Sequence, residues 1–499
     1  MPKIYNCQKA KSDIIELKVL NSSLVAYATK FHGIKIFDFE SCDTKKSIAD
    51  MHLNSTVSAS AFSPNSELFA FANNHNIYIL EISSKNISNT IESGNEDIEI
   101  ISFDSSSNYI IAGSKNGRVL QYKTDKPSLL SRLGSFPYND SNKELKYDKD
   151  KNFVSSFAFY KNKFACSGYG GAIITLNLHT QTDKKVFTYN KIRIDALAFL
   201  DEETLICAKS DGSLDIIPLD DTSSRQSIST PLSSIKQINI MPNPNFIMIN
   251  GRSNIISIID IKNRKIAHSK YIELDTQIKF VNIVKGDYLV IALENNDILH
   301  VELPGIAKLK SLIAAKSIDK AYELIAKEPM IQGSNEHKIL EEKFEKKYQE
   351  ALLAPINQNK KKAVQIMDIY KNVKSKQERI KELFSAFENY LRFQKLFLEK
   401  KYPLAYAMSS KYEPLKQTAQ YKKMEQIFKA AFTSAQKQIM QNNIQGARAI
   451  LGEYGTVISK KPLIKLLLTQ NKEFIEFLKA LQKKDFKTID ILVKANPFF

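Results

Sequence analysis

Two periodicities divide the chain. Up to about residue 304 apolar positions alternate with polar ones in short runs, the period of a half-buried β-strand. Beyond Pro304-Gly305 that period disappears, and strong helix formers take over at helical spacing. The segregation of the two patterns predicts an all-β part followed by an all-α part and excludes an alternating α/β sheet.

Within the first part a polar turn followed by an alternating run recurs seven times. The copies are KFHGIKIFDF at 30–39, NHNIYILEI at 74–82, KNGRVLQYK at 115–123, YGGAIITLNL at 169–178, SDGSLDIIPL at 210–219, RSNIISIIDI at 252–261 and NNDILHVEL at 295–303. The turn residues are Gly33, Asn76, Gly117, Gly171, Gly212, Asn254 and Asp297, types that tolerate positive φ, and successive spacings are 43, 41, 54, 41, 42 and 43. Each unit reads as four strands, with the last more polar than the rest. One four-stranded sheet cannot bury both faces, so the units are expected to stack around an axis as propeller blades. The seventh unit has only three strands, and the spare strand at 3–8 is expected to complete it and close the ring.

The period and turn chemistry resemble those of WD-repeat β-propellers over roughly 1–304. The Trp-Asp and Gly-His dipeptides of that family are absent. The resemblance implies that the seven turns lie on one face, the usual ligand face. It makes Lys30, His32, His75, Lys115, Arg118, Tyr169, Lys209, Asp211, Arg252 and Glu294 the candidate rim. The spacing of 54 marks an insertion near 135–151, either a binding loop on that face or a tolerated surface insertion.

In the second part SIDKAYELI at 317, NKKKAVQIM at 359, KYPLAYAMS at 401, NIQGARAIL at 443 and DFKTIDILV at 485 each start 42 residues after the last. Their fifth column reads Ala321, Ala363, Ala405, Ala447, Ile489, and longer helices are predicted at 336–353, 377–400, 415–441 and 463–483. Long and short helices alternating at this period predict an α-solenoid, similar to HEAT, armadillo or clathrin-type repeats. The expected domains are thus a seven-bladed β-propeller over 1–304 and a basic α-solenoid over 305–499. This domain order resembles that of vesicle-coat and nuclear-pore scaffold proteins. The terminal NPFF at 496–499 is expected to cap the last helix, with a short docking tail as the alternative.

Charge sharpens the boundary. Residues 305–499 carry 37 Lys and Arg against 20 Asp and Glu, whereas 1–304 carry 34 of each, so the whole excess of +17 lies in the helical part. The runs Lys360, Lys361, Lys362, then Lys422, Lys423, then Lys460, Lys461 form the candidate basic surface. Its bland reading is a solvated Lys face. Its functional readings are an acidic protein partner first, then RNA or an anionic membrane surface. Only Arg379, Arg392 and Arg448 are arginines there, which argues against sequence-specific nucleic-acid reading.

Catalytic signatures are missing: there is no GxxxxGK[ST], GxSxG or HExxH, and no GxGxxG opens a helix. His32 and His75 sit in similar turns without a third ligand. Asp211 and Asp215 flank Gly212 without a base or metal partner and read as structural. The well-separated Cys7, Cys42, Cys166 and Cys207 fit four buried thiols in a reducing cytoplasm. No run approaches a membrane span, and the N-terminus does not read as a secretory signal. The expectation is a soluble cytoplasmic scaffold that is not an enzyme and takes no cofactor or metal. Its propeller rim would hold one protein and its helical part another. The alternative is an RNA- or ribosome-associated, or anionic-membrane-associated, factor acting through the basic helices.

Overall fold

The structure is a computed structural model. It describes residues 3–495 apart from 32, 49–56, 74, 95, 127, 137–152, 190–191, 354–359, 442 and 470. The chain forms two compact units, one of Met1–Ser311 with Leu324–Lys338 and one of Leu312–Glu323 with Ile339–Phe499.

The first unit is a seven-bladed β-propeller of seven four-stranded antiparallel sheets. The innermost strands of blades one to seven are Ile14–Val19, Ala59–Phe62, Ile98–Phe103, Val154–Tyr160, Ile194–Phe199, Ile235–Ile240 and Ile278–Val284, and successive ones adjoin. The second strand of each blade is mostly apolar and buried along nearly its whole length, as in Leu24–Thr29 and Phe246–Gly251, because blades press on it from both sides. Fourth strands such as Lys265–Glu273 are largely exposed and charged, which protects the outer edge from pairing with another chain.

Blade seven runs Ile278–Val284, Tyr288–Leu293, Asp297–Glu302 and then Ile4–Lys9, so the N-terminal strand supplies its outer edge. This closure corrects the reading of the cysteines. Cys7 on that edge strand is disulfide-bonded to Cys42 in the turn that leaves the third strand of blade one, with Cα atoms 5.2 Å apart. Ring closure brings together two residues that the strand pattern alone keeps apart. Cys166 and Cys207 are buried free thiols, as expected. The insertion at 135–151 falls almost wholly outside the described residues, as does the NPFF terminus.

Eleven α-helices are found among the described residues: α1 Ile306–Ala314, α2 Ile318–Lys327, α3 Asn335–Leu353, α4 Lys360–Met367, α5 Gln377–Leu398, α6 Tyr402–Lys411, α7 Ala419–Met440, α8 Ile444–Leu451, α9 Lys461–Thr469, α10 Asn471–Lys483 and α11 Phe486–Ala495. Local chemistry sets their ends. The Thr418 hydroxyl accepts from the Tyr421 amide to start α7, and the Asn443 side chain accepts from the Gly446 amide to start α8. One expected long helix starts later than its pattern suggests. The one expected at 415–441 begins only after a 3₁₀ turn at Glu413–Gln417, where Pro414 sits. The one expected at 463–483 is helical over Lys461–Thr469 and Asn471–Lys483, with residue 470 outside the described residues. The second unit packs around Tyr390, Phe393, Tyr406, Phe428, Leu451 and Leu467. No helix among the described residues is long and apolar enough to cross a membrane.

Candidate functional site

The candidate rim is built from two backbone positions in most blades. The residue that enters the innermost strand is hydrogen-bonded to the turn between strands two and three. The Lys30 amide donates to the Asp13 carbonyl at 2.9 Å, Lys115 to Asp97 at 2.7 Å and Tyr169 to Phe153 at 2.9 Å. Ser210 donates to Arg193 at 2.9 Å and Glu294 to Gln277 at 3.0 Å. The turn is tight where glycine allows it. Gly171 and Gly212 have φ of 84° and 83°, and a Cβ on Gly212 would run into the Leu232 carbonyl oxygen. In blade seven the left-handed residue is Asn296, one before the expected Asp297. Asn76 and Asn254 do not adopt that conformation.

The expected rim residues separate into three groups. Near the join of blades two and three, His75 Nδ1 lies 3.3 Å from Asp97 and Arg118 pairs with the buried Glu96, so this sector is charge-balanced. Exposed Lys115 stands beside it. Near the join of blades seven and one, Lys30 lies over the exposed Phe31 ring, and Glu294 stands 4.0 Å from Lys279, which pairs with Asp13. His32 lies outside the described residues.

The third sector, on blades four to six, holds Tyr169 and Arg252 and five residues the sequence reading missed, Phe153, Arg193, Asp195, Ser234 and Lys236. Arg193 donates to Asp195 at 2.5 and 3.2 Å, and its guanidinium lies 5.7 Å from the Tyr169 ring centre. Phe153 packs on the other part of Tyr169 at 4.7 Å. Asp195 is buried and accepts a further bond from the Ser234 hydroxyl at 3.2 Å. Burial holds the Lys236 ammonium below the usual lysine range; Asp195 opposes this, and Arg252 and Arg193 reinforce it. Arg193 and Lys236 thus share one buried carboxylate, with Arg252 close to Lys236, so among the described residues the sector carries more cations than carboxylates beside an aromatic pair. Rigid Arg and Tyr groups are the types that anchor protein interfaces.

Two expected rim residues do other work. Lys209 is buried and pairs with Asp215 at 3.0 Å, so its charge is spent inside the blade. Asp211 accepts from the amide and hydroxyl of Ser213 at 2.9 and 2.6 Å, which shapes the turn. Arg193, Phe153 and Asp13 carried a readable signal: each immediately precedes the first apolar residue of an innermost strand.

The candidate basic surface is also reduced. Lys361, Lys362, Lys422, Lys423 and Lys461 are exposed. Lys460 is not part of it: its side chain is 12% exposed and pairs with Glu425 at 2.6 Å. The Lys360 side chain lies outside the described residues. No group of three His, Cys, Asp or Glu side chains able to hold a metal is found among the described residues.

No family model matches the sequence, and no curated protein matches it. Solved structures do resemble it. One is the structure of U3-55K, with TM-score 0.50 and 17% identity over 60% of this chain and 98% of that one. Another is the crystal structure of RRP9 WD40 repeats, with TM-score 0.49 and 16% identity over 60% of this chain and 97% of that one. At this identity the likeness to U3-55K is one of fold, the β-propeller.

Proposed function

We propose that the protein is a non-catalytic interaction scaffold whose propeller rim holds one protein partner and whose basic helical unit holds another. The observation that carries the reading is the blade four-to-six sector, where Arg193 lies against Tyr169 and pairs with Asp195, and Lys236 stands within electrostatic reach of Arg193, Arg252 and that carboxylate. Such a sector suits an acidic protein surface.

The helical unit is read as an α-solenoid of the HEAT or clathrin type. What supports this is the spacing of short helices, which begin at Ile318, Lys360, Tyr402, Ile444 and Phe486, a constant step of 42 residues. The small residue of the first four, Ala321, Ala363, Ala405 and Ala447, is fully buried each time, as close helix approach requires.

The test is affinity capture from nuclease-treated native lysate with the full chain and with its K236E/R252E variant. The expected result is one protein lost from the variant's captures while thermal stability stays the same. Identical captures would remove the rim from the reading.

A second reading, RNA or ribosome association, is favoured by the confinement of the +17 excess to 305–499. It predicts an RNA affinity that falls steeply between low and moderate salt. The proposed cytoplasmic location is the part that Cys7–Cys42 presses on, because structural disulfides persist in oxidising compartments. Alkylation of freshly lysed cells, followed by mass spectrometry of the Cys7 peptide, decides it.

A further inference from the structure

A groove of about 300 Å³ lies between α5 and α6. Leu396, Leu404, Ala407 and Met408 supply its apolar floor, Asn389 and Tyr412 also line it, and Arg392 and Lys411 supply its basic edge. Leu404 is 57% exposed. Arg392 and Lys411 are exposed, and neither makes an ion pair among the described residues. Leu396 and Met408 pack partly against the core of the unit, but Leu404 and Ala407 are exposed and are not among the residues the helices bury. α5 buries Ile380, Leu383, Ala386, Tyr390 and Phe393 instead, and α6 buries Tyr402, Ala405, Tyr406 and Ser409.

The chain contains its own controls, one 42-residue step to either side. In α7 and α8 the places of Leu396 and Leu404 are taken by Gln438 and Gly446. There Asn443 closes the gap, donating to Gln438 at 2.6 Å and accepting from the Gly446 amide at 2.9 Å. In the other direction Leu404 is replaced by exposed Lys362. Arg392 is replaced by Glu350, which pairs with Lys347 at 2.9 Å, and by Ser434. Lys411 is replaced by Ile369 and Glu453. An apolar floor with an uncompensated basic edge therefore occurs at α5/α6 and not at its neighbours, so the repeat does not impose it.

We propose that the α5/α6 groove is a docking site for a partner protein segment bearing a large aliphatic side chain flanked by carboxylates. This rests on the reading of the helical unit as a repeat array that binds an acidic partner. The volume is at the small end of the range for ligand pockets, about 300–1,000 Å³, and suits one or two aliphatic side chains. The edge cations then meet the flanking carboxylates, as in groove-bound peptide segments. A nucleic acid would present phosphate to Arg392 and Lys411 but would leave the exposed aliphatic surface of Leu404 and Ala407 uncovered.

The test is selection of a phage-displayed random peptide library on the full-length protein, followed by affinity measurement on variants. Leu404→Lys places in the floor the residue found one step earlier, and R392E/K411E reverses the edge. The expected result is a set of peptides rich in Asp or Glu around Leu, Ile or Met, each binding about tenfold or more weakly to either variant. Peptides that bind the variants as well as the parent, or that lack acidic residues, overturn the proposal. So does recovery of no peptide, or RNA binding that Leu404→Lys abolishes. If Leu404→Lys lowers thermal stability, R392E/K411E alone decides, since both of its side chains are exposed. The broader scaffold reading fails separately: it falls if native lysate yields no partner of the helical unit, whatever the peptides do.

Discussion

The Asn282 side-chain amide donates to the Leu17 carbonyl at 2.9 Å, a bond from the innermost strand of blade seven to that of blade one. It belongs to a set of stitches between neighbouring inner strands. Asn239 donates to the Val281 carbonyl at 3.3 Å, Gln237 accepts from the Val281 amide at 2.8 Å, and the Ser156 hydroxyl accepts from the Leu197 amide at 3.0 Å. Asn282 spans the join where the last blade meets the first, which the N-terminal strand and the Cys7–Cys42 disulfide also hold at the outer edge.

Replacing Asn282 with Ala removes this bond and leaves the Leu17 carbonyl without it. The expected cost is about 1–3 kcal/mol, a fall in Tm of a few degrees. Asn239→Ala, which breaks the longer bond between blades six and seven, is expected to cost less. Thermal unfolding of both variants checks the order.

Glu16, on the innermost strand of blade one, has its carboxyl pushed up to about 8 by burial, against the opposing effects of Lys18 and the Ser60 hydroxyl. Its surface is only half-buried, but it sits among the inner strands, where protein and not bulk water sets its ionisation. The folded state therefore keeps a proton that the unfolded chain releases from about 4.5 upward. The contribution of Glu16 to stability is fully present at low pH, falls as pH rises between about 4.5 and 8, and is level above that. Glu16→Gln is expected to remove this slope and to raise Tm most at pH 8. A variant whose Tm follows the parent's pH profile would refute the assignment.

The propeller was legible because its turns repeat a local rule, a residue able to take positive φ ahead of an alternating strand. Gly33, Gly117, Gly171 and Gly212 obey it in the structure. The same rule misplaced Asn76, Asn254 and Asp297, where the turn is formed without a left-handed residue at that position. Side-chain fate was not legible. Lys209 reads as a turn lysine, but Asp215 on the paired strand draws it inward. Arg193 was overlooked because only the turn half of each rim pair carries a distinctive residue type. The Cys7–Cys42 bond joins a strand of blade seven to a turn of blade one, and strand alternation holds no information about which blades touch.

That disulfide fastens the closing strand of blade seven to blade one. Reducing it leaves the strand held by its hydrogen bonds to Asp297–Glu302. For a bridge with a sequence separation of 35 the expected loss is about 2–4 kcal/mol. Tm is expected to drop by several degrees on adding reductant, and the Cys7→Ser/Cys42→Ser variant should start at the reduced value and show no further response. A parent protein indifferent to reductant would mean that the bond is absent in solution.

Lys376 and Lys460 occupy matching sites in the helical unit. The Lys376 ammonium pairs with Glu341 at 2.5 Å and lies 4.6 Å from the Phe344 ring centre. The Lys460 ammonium pairs with Glu425 at 2.6 Å and lies 4.7 Å from Phe428. Tyr322 and Tyr406 complete the two sites at 5.2 and 5.3 Å. Both ammonium groups are nearly enclosed, so removing either strands a carboxylate that has given up much of its water. Lys376→Ala and Lys460→Ala are each expected to cost about 3–5 kcal/mol, the range for breaking a buried pair. The cost should sit toward the lower end, since Glu341 and Glu425 keep 38% and 37% of their side-chain surface. Lys461→Ala, its charge exposed one residue along, is expected to change stability by less than about 0.5 kcal/mol. Denaturant unfolding of the three variants makes the comparison. Equal effects at Lys460 and Lys461 would show that Lys460 is solvated after all and would return it to the basic surface.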